Sequence, residues 1–162
     1  MPWDHTIVVG YDGTHPAELA LARAAELAQA FGSRLIVVDV APPEPPPTMP
    51  GAFGLTPYYY VYTDEQDVRS DEELWRQHRA RVESFLAETA VPHEFAGVVG
   101  EPVEEILDVA DRGRADLIVV GTREPGFLER LLGGSVSQGV ARRARCDVLV
   151  VHPLESGGNQ AE

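Results

Sequence analysis

The chain has 162 residues, enough for one domain with a sizeable core and too few for two ordinary ones. Its 44% hydrophobic content is ordinary for a globular protein, while a formal charge of −13 opposes binding to nucleic acid or an anionic membrane surface, both polyanions. All 13 basic residues are arginine and none is lysine. That excludes Schiff-base chemistry and the Walker A lysine, so any phosphate must be held by backbone N–H groups, hydroxyls, arginine or a metal.

The opening MPWDHTIVVGYDG has no basic region followed by a long apolar stretch, and no apolar run approaches the roughly 18 residues that span a membrane. The single cysteine, Cys146, has no internal disulfide partner. These features predict a cytoplasmic protein in a reducing compartment. The first strand is HTIVVGYD. It runs into Tyr11-Asp12-Gly13-Thr14 and a helix with Pro16 in its opening turn. Ala20, Ala24, Leu27 and Phe31 repeat at helical spacing before Gly32 ends the pattern. The second strand is SRLIVVDV. Residues 42–66 follow as a long proline-rich insertion with the YYYVY cluster near its end, which reads as packing onto the domain.

A second helix is predicted from Asp67 to Glu88, with Leu74, Val82, Phe85 and Leu86 on its apolar face. Its DEELWRQHRARVE stretch reads as a solvated charged face. EFAGVV is the third strand; Val103, Ile106, Leu107 and Ala110 share one face of the third helix; ADLIVVGT is the fourth strand. A fourth helix starts near Gly134–Ser135, DVLVVHP closes the series, and ESGGNQAE at 155–162 reads as a solvated tail. Continuous apolar strands alternating with helices predict a doubly wound α/β domain over residues 1–154. Its five-stranded parallel sheet would be covered on both faces.

In such a sheet ligands bind beyond the carboxyl ends of the strands, where the winding reverses. Two loops belong there: the Asp12 turn after the first strand, and GTREPGFLERLLGGSVSQG, Gly121 to Gly139, after the fourth. Gly121 suits a tight exit from the strand, and Gly134 lets backbone approach a ligand without a Cβ in the way. Ser135 and Ser137 offer hydroxyls at a helix N-terminus, whose free N–H groups favour an anion. Ordinary capping also explains Gly134 and Ser135, but the strand before them, the spacing and the second loop favour phosphate binding, while Asp12 suits a plain turn as well as a site.

The spacing Gly121-x2-Glu124-x9-Gly134-Ser135, followed by Val136 and Ser137, resembles the nucleotide-binding motif of the universal stress protein family. IVVGYDGT is similar to that family's first strand and acidic loop. GEPVEEILDVADRGRADLIVVGT and RCDVLVV resemble its third helix, fourth strand and closing strand. The resemblance covers roughly residues 4–153 apart from 42–66. It implies an adenine-nucleotide site, for ATP or a related nucleotide, often with a divalent metal such as Mg²⁺ or Mn²⁺. On that basis Asp12 would hold the ribose or the metal region, and Val40 would contact adenine. Gly121, Gly134, Ser135 and Val136 would surround ribose and phosphates, with Arg123 and Ser137 beside them. It further implies a homodimer pairing the last strands, Asp147 to Val151, and a stress-response switch acting through a protein partner.

Glu124 departs from the family motif, which has glycine at that position. A carboxylate about 4–6 Å from a phosphate repels it by roughly 3 kcal/mol at an effective dielectric near 20. Arg123 or Arg130 would offset part of this, and a bridging Mg²⁺ would make the carboxylate a ligand. His5, His15, His78, His93 and His152 show no metal-ligand spacing and read as surface or packing residues. Cys146 reads as a small core residue. No nucleophile–base–orienter set can be assembled from the sequence, which leaves slow nucleotide hydrolysis as the most the site would catalyse.

Overall fold

The computed structural model describes residues 5–43, 65–122 and 136–153. Its strands are β1 (Thr6–Gly10), β2 (Arg34–Ala41), β3 (His93–Val99), β4 (Leu117–Gly121) and β5 (Asp147–Val151). Between them lie α1 (His15–Phe31), α2 (Glu65–Leu86), α3 (Pro102–Gly113) and α4 (Val136–Arg143). All strand pairs are parallel, in the order β3-β2-β1-β4-β5. The chain moves outward from β1 to β3, then crosses back to β4 and continues to β5. The winding therefore reverses between β1 and β4.

The sequence builds these elements by local rules and joins them through two apolar layers. Pro16 stands in the first turn of α1, where a missing N–H costs nothing, and Gly32 closes the helix at φ +65°, its N–H bonding to the Ala28 carbonyl. On one face of the sheet, Ile7, Val9, Leu35, Val37 and Val119 meet Ala17, Ala20, Leu21 and Ala24 of α1 and Val82 and Leu86 of α2. On the other, Val8, Ile36, Val38, Ile118 and Val120 meet Ile106, Val109 and Ala110 of α3 and Val140 of α4. The central strands are buried on both sides, which is why their sequences are apolar without alternation.

Three expected apolar contacts are absent. Phe31 is 59% exposed, Leu74 46% and Phe85 42%, so the buried stripe of α2 runs through His78, Val82 and Leu86 instead. A helix lying over a sheet edge can bury only the arc that meets the strands, and Leu74 and Phe85 fall outside it. Most of 71–83 is solvated as expected, but His78 and Val82 turn inward. Cys146 is partly buried among the apolar residues of the α3/α4 face, and burial pushes its thiol up, away from reactive thiolate.

Candidate functional site

The site is defined first by topology. At the reversal between β1 and β4, the register Val9↔Val119 and Gly10↔Val38 brings three ends level: the turn after β1, the exit of β4 and the last residues of β2. Asp12 and Val40 stand at the same height by this count, as do Tyr11 and Gly121. Tyr11 N–H donates to the Val38 carbonyl at 2.8 Å, extending the β1–β2 ladder into the turn.

Asp12 shapes that turn. Its Oδ1 accepts from Thr14 N–H at 3.0 Å and from the Thr14 hydroxyl, the closed loop of an Asx turn. The turn role expected from sequence is thus realised, at a carboxylate placed where a ligand at the switch point would meet it. Gly13 follows at φ +74°, a conformation that favours glycine.

Gly121 is a glycine for a different reason from a tight turn. Its φ is not positive, but a Cβ there would overlap the Pro16 carbonyl, lying 2.6 Å from Pro16 C and 3.0 Å from Pro16 Cβ. The β4 exit therefore packs directly on the first turn of α1, and the two candidate loops share one wall. Thr122 N–H then donates to the Val151 carbonyl at 3.0 Å, which ties the exit to β5.

Val40 lies partly buried on the α3/α4 face, two residues beyond Val38. Val136 is exposed at the start of α4, with Ser137 buried beside it. Arg123, Glu124, Gly134 and Ser135 lie outside the described residues, as do most of the 42–66 insertion and the tail. Asp12, Val40 and Gly121 thus stand together at the carboxyl edge. Among the described residues no group of three or more His, Cys, Asp or Glu side chains could hold a metal ion.

The structure adds a pair of residues that the sequence reading missed. Asp39 and His78 are both buried, and His78 Nδ1 lies 2.6 Å from Asp39 Oδ2. Asp39 shares the α1/α2 face with Leu35 and Val37, and α2 supplies His78 from above. Burial raises the Asp39 carboxyl above its ordinary range; the His78 hydrogen bond opposes this, and Asp12 and Asp71 reinforce it. Tyr11 meets the imidazole edge-on, with ring centroids 5.5 Å apart. Burial also pushes the Tyr11 phenol up. The nearby Arg81 charge pulls it down, yet Oη is buried and meets no partner in hydrogen-bonding geometry among the described residues. A signal for this pair existed: Asp39 is the lone acid in an apolar strand, RLIVVDVA, and a buried carboxyl demands a partner. Nothing in sequence identified His78 as that partner, 39 residues away.

Comparison with known proteins agrees with this architecture. Residues 5–152 match the model of the universal stress protein family. A universal stress protein of Thermus aquaticus is 40% identical over 147 residues, covering 90% of this chain and 97% of its own length. One from Mycobacterium tuberculosis H37Rv is 31% identical over 156 residues, covering 91% and 95%. A crystal structure of a universal stress protein in complex with cAMP is similar at a TM-score of 0.63 and 31% identity, covering 92% of this chain and 97% of that one. With the fold, the switch point and nearly the full length in agreement, the chain belongs to the universal stress protein family.

Proposed function

We propose that the crevice between the β1–α1 turn and the β4 exit binds an adenine nucleotide, ATP or a cyclic relative, and that occupancy switches a homodimer in a stress response. The observation that carries this reading is the packing of Gly121 on Pro16 beside the Asp12 turn. It brings the two chain segments into backbone contact at the point where α/β sheets bind ligands. The related structure with cAMP supports the ligand class. In this reading Asp12 holds the ribose or a bridging Mg²⁺ or Mn²⁺, and Val40 lies against adenine. Gly121, Arg123, Gly134, Ser135, Val136 and Ser137 surround the ribose and phosphates.

The dimer would form along β5, which has a neighbour on one side only and keeps Val148 to Val151 half-buried. Its open edge offers backbone groups to a second copy. A switch needs different nucleotide affinities in two states, and a protein partner would read the difference. Leu149→Arg checks the dimer by light scattering after size exclusion. Monomer is expected, and an unchanged mass would discard β5 as the interface.

Glu124 supplies the test of the site. Calorimetric titration with ATP and with cAMP, with and without Mg²⁺, is run on the natural protein and on Glu124→Gly. Removing a repulsion of roughly 3 kcal/mol predicts about a hundredfold tighter ATP binding by the variant without metal. Binding by the natural protein only with Mg²⁺ would make Glu124 part of the cation site. Silence from both proteins would sink the nucleotide reading and leave a dimer that works through protein contacts alone.

A further inference from the structure

The sheet ends in two edge strands, β3 and β5. An edge strand offers unpaired N–H and C=O groups to any strand that approaches, including the same edge of a second copy. On β3 the register decides which groups these are. Leu35 N–H donates to the Pro92 carbonyl and Gly100 N–H to the Ala41 carbonyl, so Glu94, Ala96 and Val98 turn their backbone groups toward β2. Val91, His93, Phe95 and Gly97 present theirs outward.

A row of α2 side chains stands along that outward edge. Trp75, Arg79 and Glu83 are spaced by one helical step of about 6 Å, and Gly97, Phe95 and His93 by a strand step of about 6.6 Å, so the rows stay matched. The Trp75 indole takes the place of a side chain at Gly97: a Cβ there would lie 2.8 Å from Cδ2 and 3.0 Å from Cε2. The Arg79 guanidinium lies 5.3 Å from the Phe95 ring centroid, and Nη2 donates to the Phe95 carbonyl at 3.4 Å. Glu83 Oε2 lies 2.8 Å from His93 Nε2, which holds the imidazole with Nδ1 2.9 Å from the Val91 carbonyl. Thr89 Oγ1 accepts from Val91 N–H at 3.4 Å. Side chains therefore already meet the outward carbonyls of Val91 and Phe95 and the outward N–H of Val91. Arg79 is exposed, so its placement buries little; what it changes is access. A second strand pairing here would have to displace the guanidinium and leave its charge against the sheet.

From this geometry we infer that the Trp75–Arg79–Glu83 row closes the β3 edge to a second copy of this chain and confines strand pairing between copies to β5. The closure of β3 stands on the contacts just described; the confinement to β5 rests on the dimer reading above. The consequence is the size of the assembly. A dimer joined at β5 carries one β3 edge on each protomer. Were those edges free, two dimers would pair β3 on β3 about a two-fold axis. Each pairing would leave another free edge, and the assembly would grow as an open chain. With β3 closed, growth stops at the dimer.

The test compares the natural protein with Arg79→Ala and Trp75→Ala/Arg79→Ala, each checked for folding by circular dichroism. Mass is read by light scattering after size exclusion at rising protein concentration. The natural mass is expected to stay constant, while that of Arg79→Ala rises about twofold or more and that of the double variant further. Arg79→Lys, which keeps a charge on the edge, is expected to follow the natural protein. Because Arg79 is exposed, its single variant decides the matter even if loss of Trp75 unfolds the chain. Amide exchange then identifies the contact. The outward N–H groups of Phe95 and Gly97 are expected to be protected in the assembled variant and fast in the natural protein. A constant mass for Arg79→Ala, or growth without protection of those two amides, would overturn the closure. The same uncapping in the Leu149→Arg background separates the two readings. With β5 blocked each chain has one free edge, so growth is expected to stop at pairs. Open-ended growth in that background would overturn the confinement to β5 while the closure of β3 stands.

Discussion

The two ends of the sheet are tied together in different ways. At the amino end side chains link strand to strand, although Ser33 Oγ is buried with no partner among the described residues. Thr6 N–H donates to Asp116 Oδ2 at 3.0 Å and His5 Nδ1 lies 3.0 Å from the same oxygen. Arg34 Nε donates to the Thr6 hydroxyl at 2.9 Å, and its Nη2 reaches the Gly113 carbonyl at 3.3 Å. At the carboxyl end the ties are local: Asp12 Oδ1 accepts from Thr14 N–H and the Thr14 hydroxyl, His78 Nδ1 lies 2.6 Å from Asp39 Oδ2, and Tyr11 Oη is buried with no partner among the described residues. Backbone approaches backbone there, at Gly121 on Pro16. A polar network fixes one end, whereas close packing on glycine makes the other intolerant of added side chains.

The largest effect that would break this contrast belongs to Gly121→Ala. The added methyl meets backbone rather than a flexible side chain, so α1 or the β4 exit must shift. A loss of about 1–3 kcal/mol in urea unfolding is expected, together with loss of ATP binding, because the shared wall moves. An unchanged unfolding midpoint would show that the contact relaxes freely and carries nothing.

Asp116→Ala sharpens the contrast from the other end. About 1 kcal/mol of stability should go with the Thr6 and His5 contacts, while ATP affinity stays within about twofold. Burial raises the Asp116 carboxyl, but the Thr6 N–H and His5 outweigh it and leave the group below its usual range. Its contribution is therefore present above the ordinary carboxylate value near 3.9 and fades as pH falls through the lower folded value. A marked drop in affinity in this variant would mean that the two ends are not separate.

The smallest effect concerns His93, at the amino end of β3. Its Nδ1 lies 2.9 Å from the Val91 carbonyl and its Nε2 2.8 Å from Glu83 Oε2, so both nitrogens face acceptors. The Val91 carbonyl, then Glu83, raise its pKa. A raised histidine stabilises the fold fully below its unfolded value near 6.5, and that stability is lost as pH rises through the folded value. With Glu83 half exposed, the gain is a few tenths of a kcal/mol. The urea midpoints of the natural protein and His93→Gln should differ more at about pH 5.5 than at about pH 8.5. An equal gap at both would assign the contact to packing rather than charge.

Much of this molecule is legible in the linear pattern. The five apolar runs, the helical spacing of Ala20 and Ala24, the Pro16 start and the Gly32 stop each follow from local chemistry and appear where expected. Asp12, Val40 and Gly121 could be assigned to one edge because every strand of a parallel sheet ends on the same side. The apolar face of α2 was misread at Leu74 and Phe85, since helical periodicity marks candidate faces while the neighbouring strands decide which arc is covered.

By itself the sequence determined the fold class, the strand limits to within a residue or two and the position of the reversal, because hydrophobic period and turn chemistry are local properties. Tertiary structure alone decided that Asp39 would meet His78, that the imidazole would occupy the space above Gly13, and that Gly121 is glycine because Pro16 lies against it. Those facts join residues 39, 65 and 105 positions apart, and the packing of helices on the sheet sets distances that no local pattern encodes.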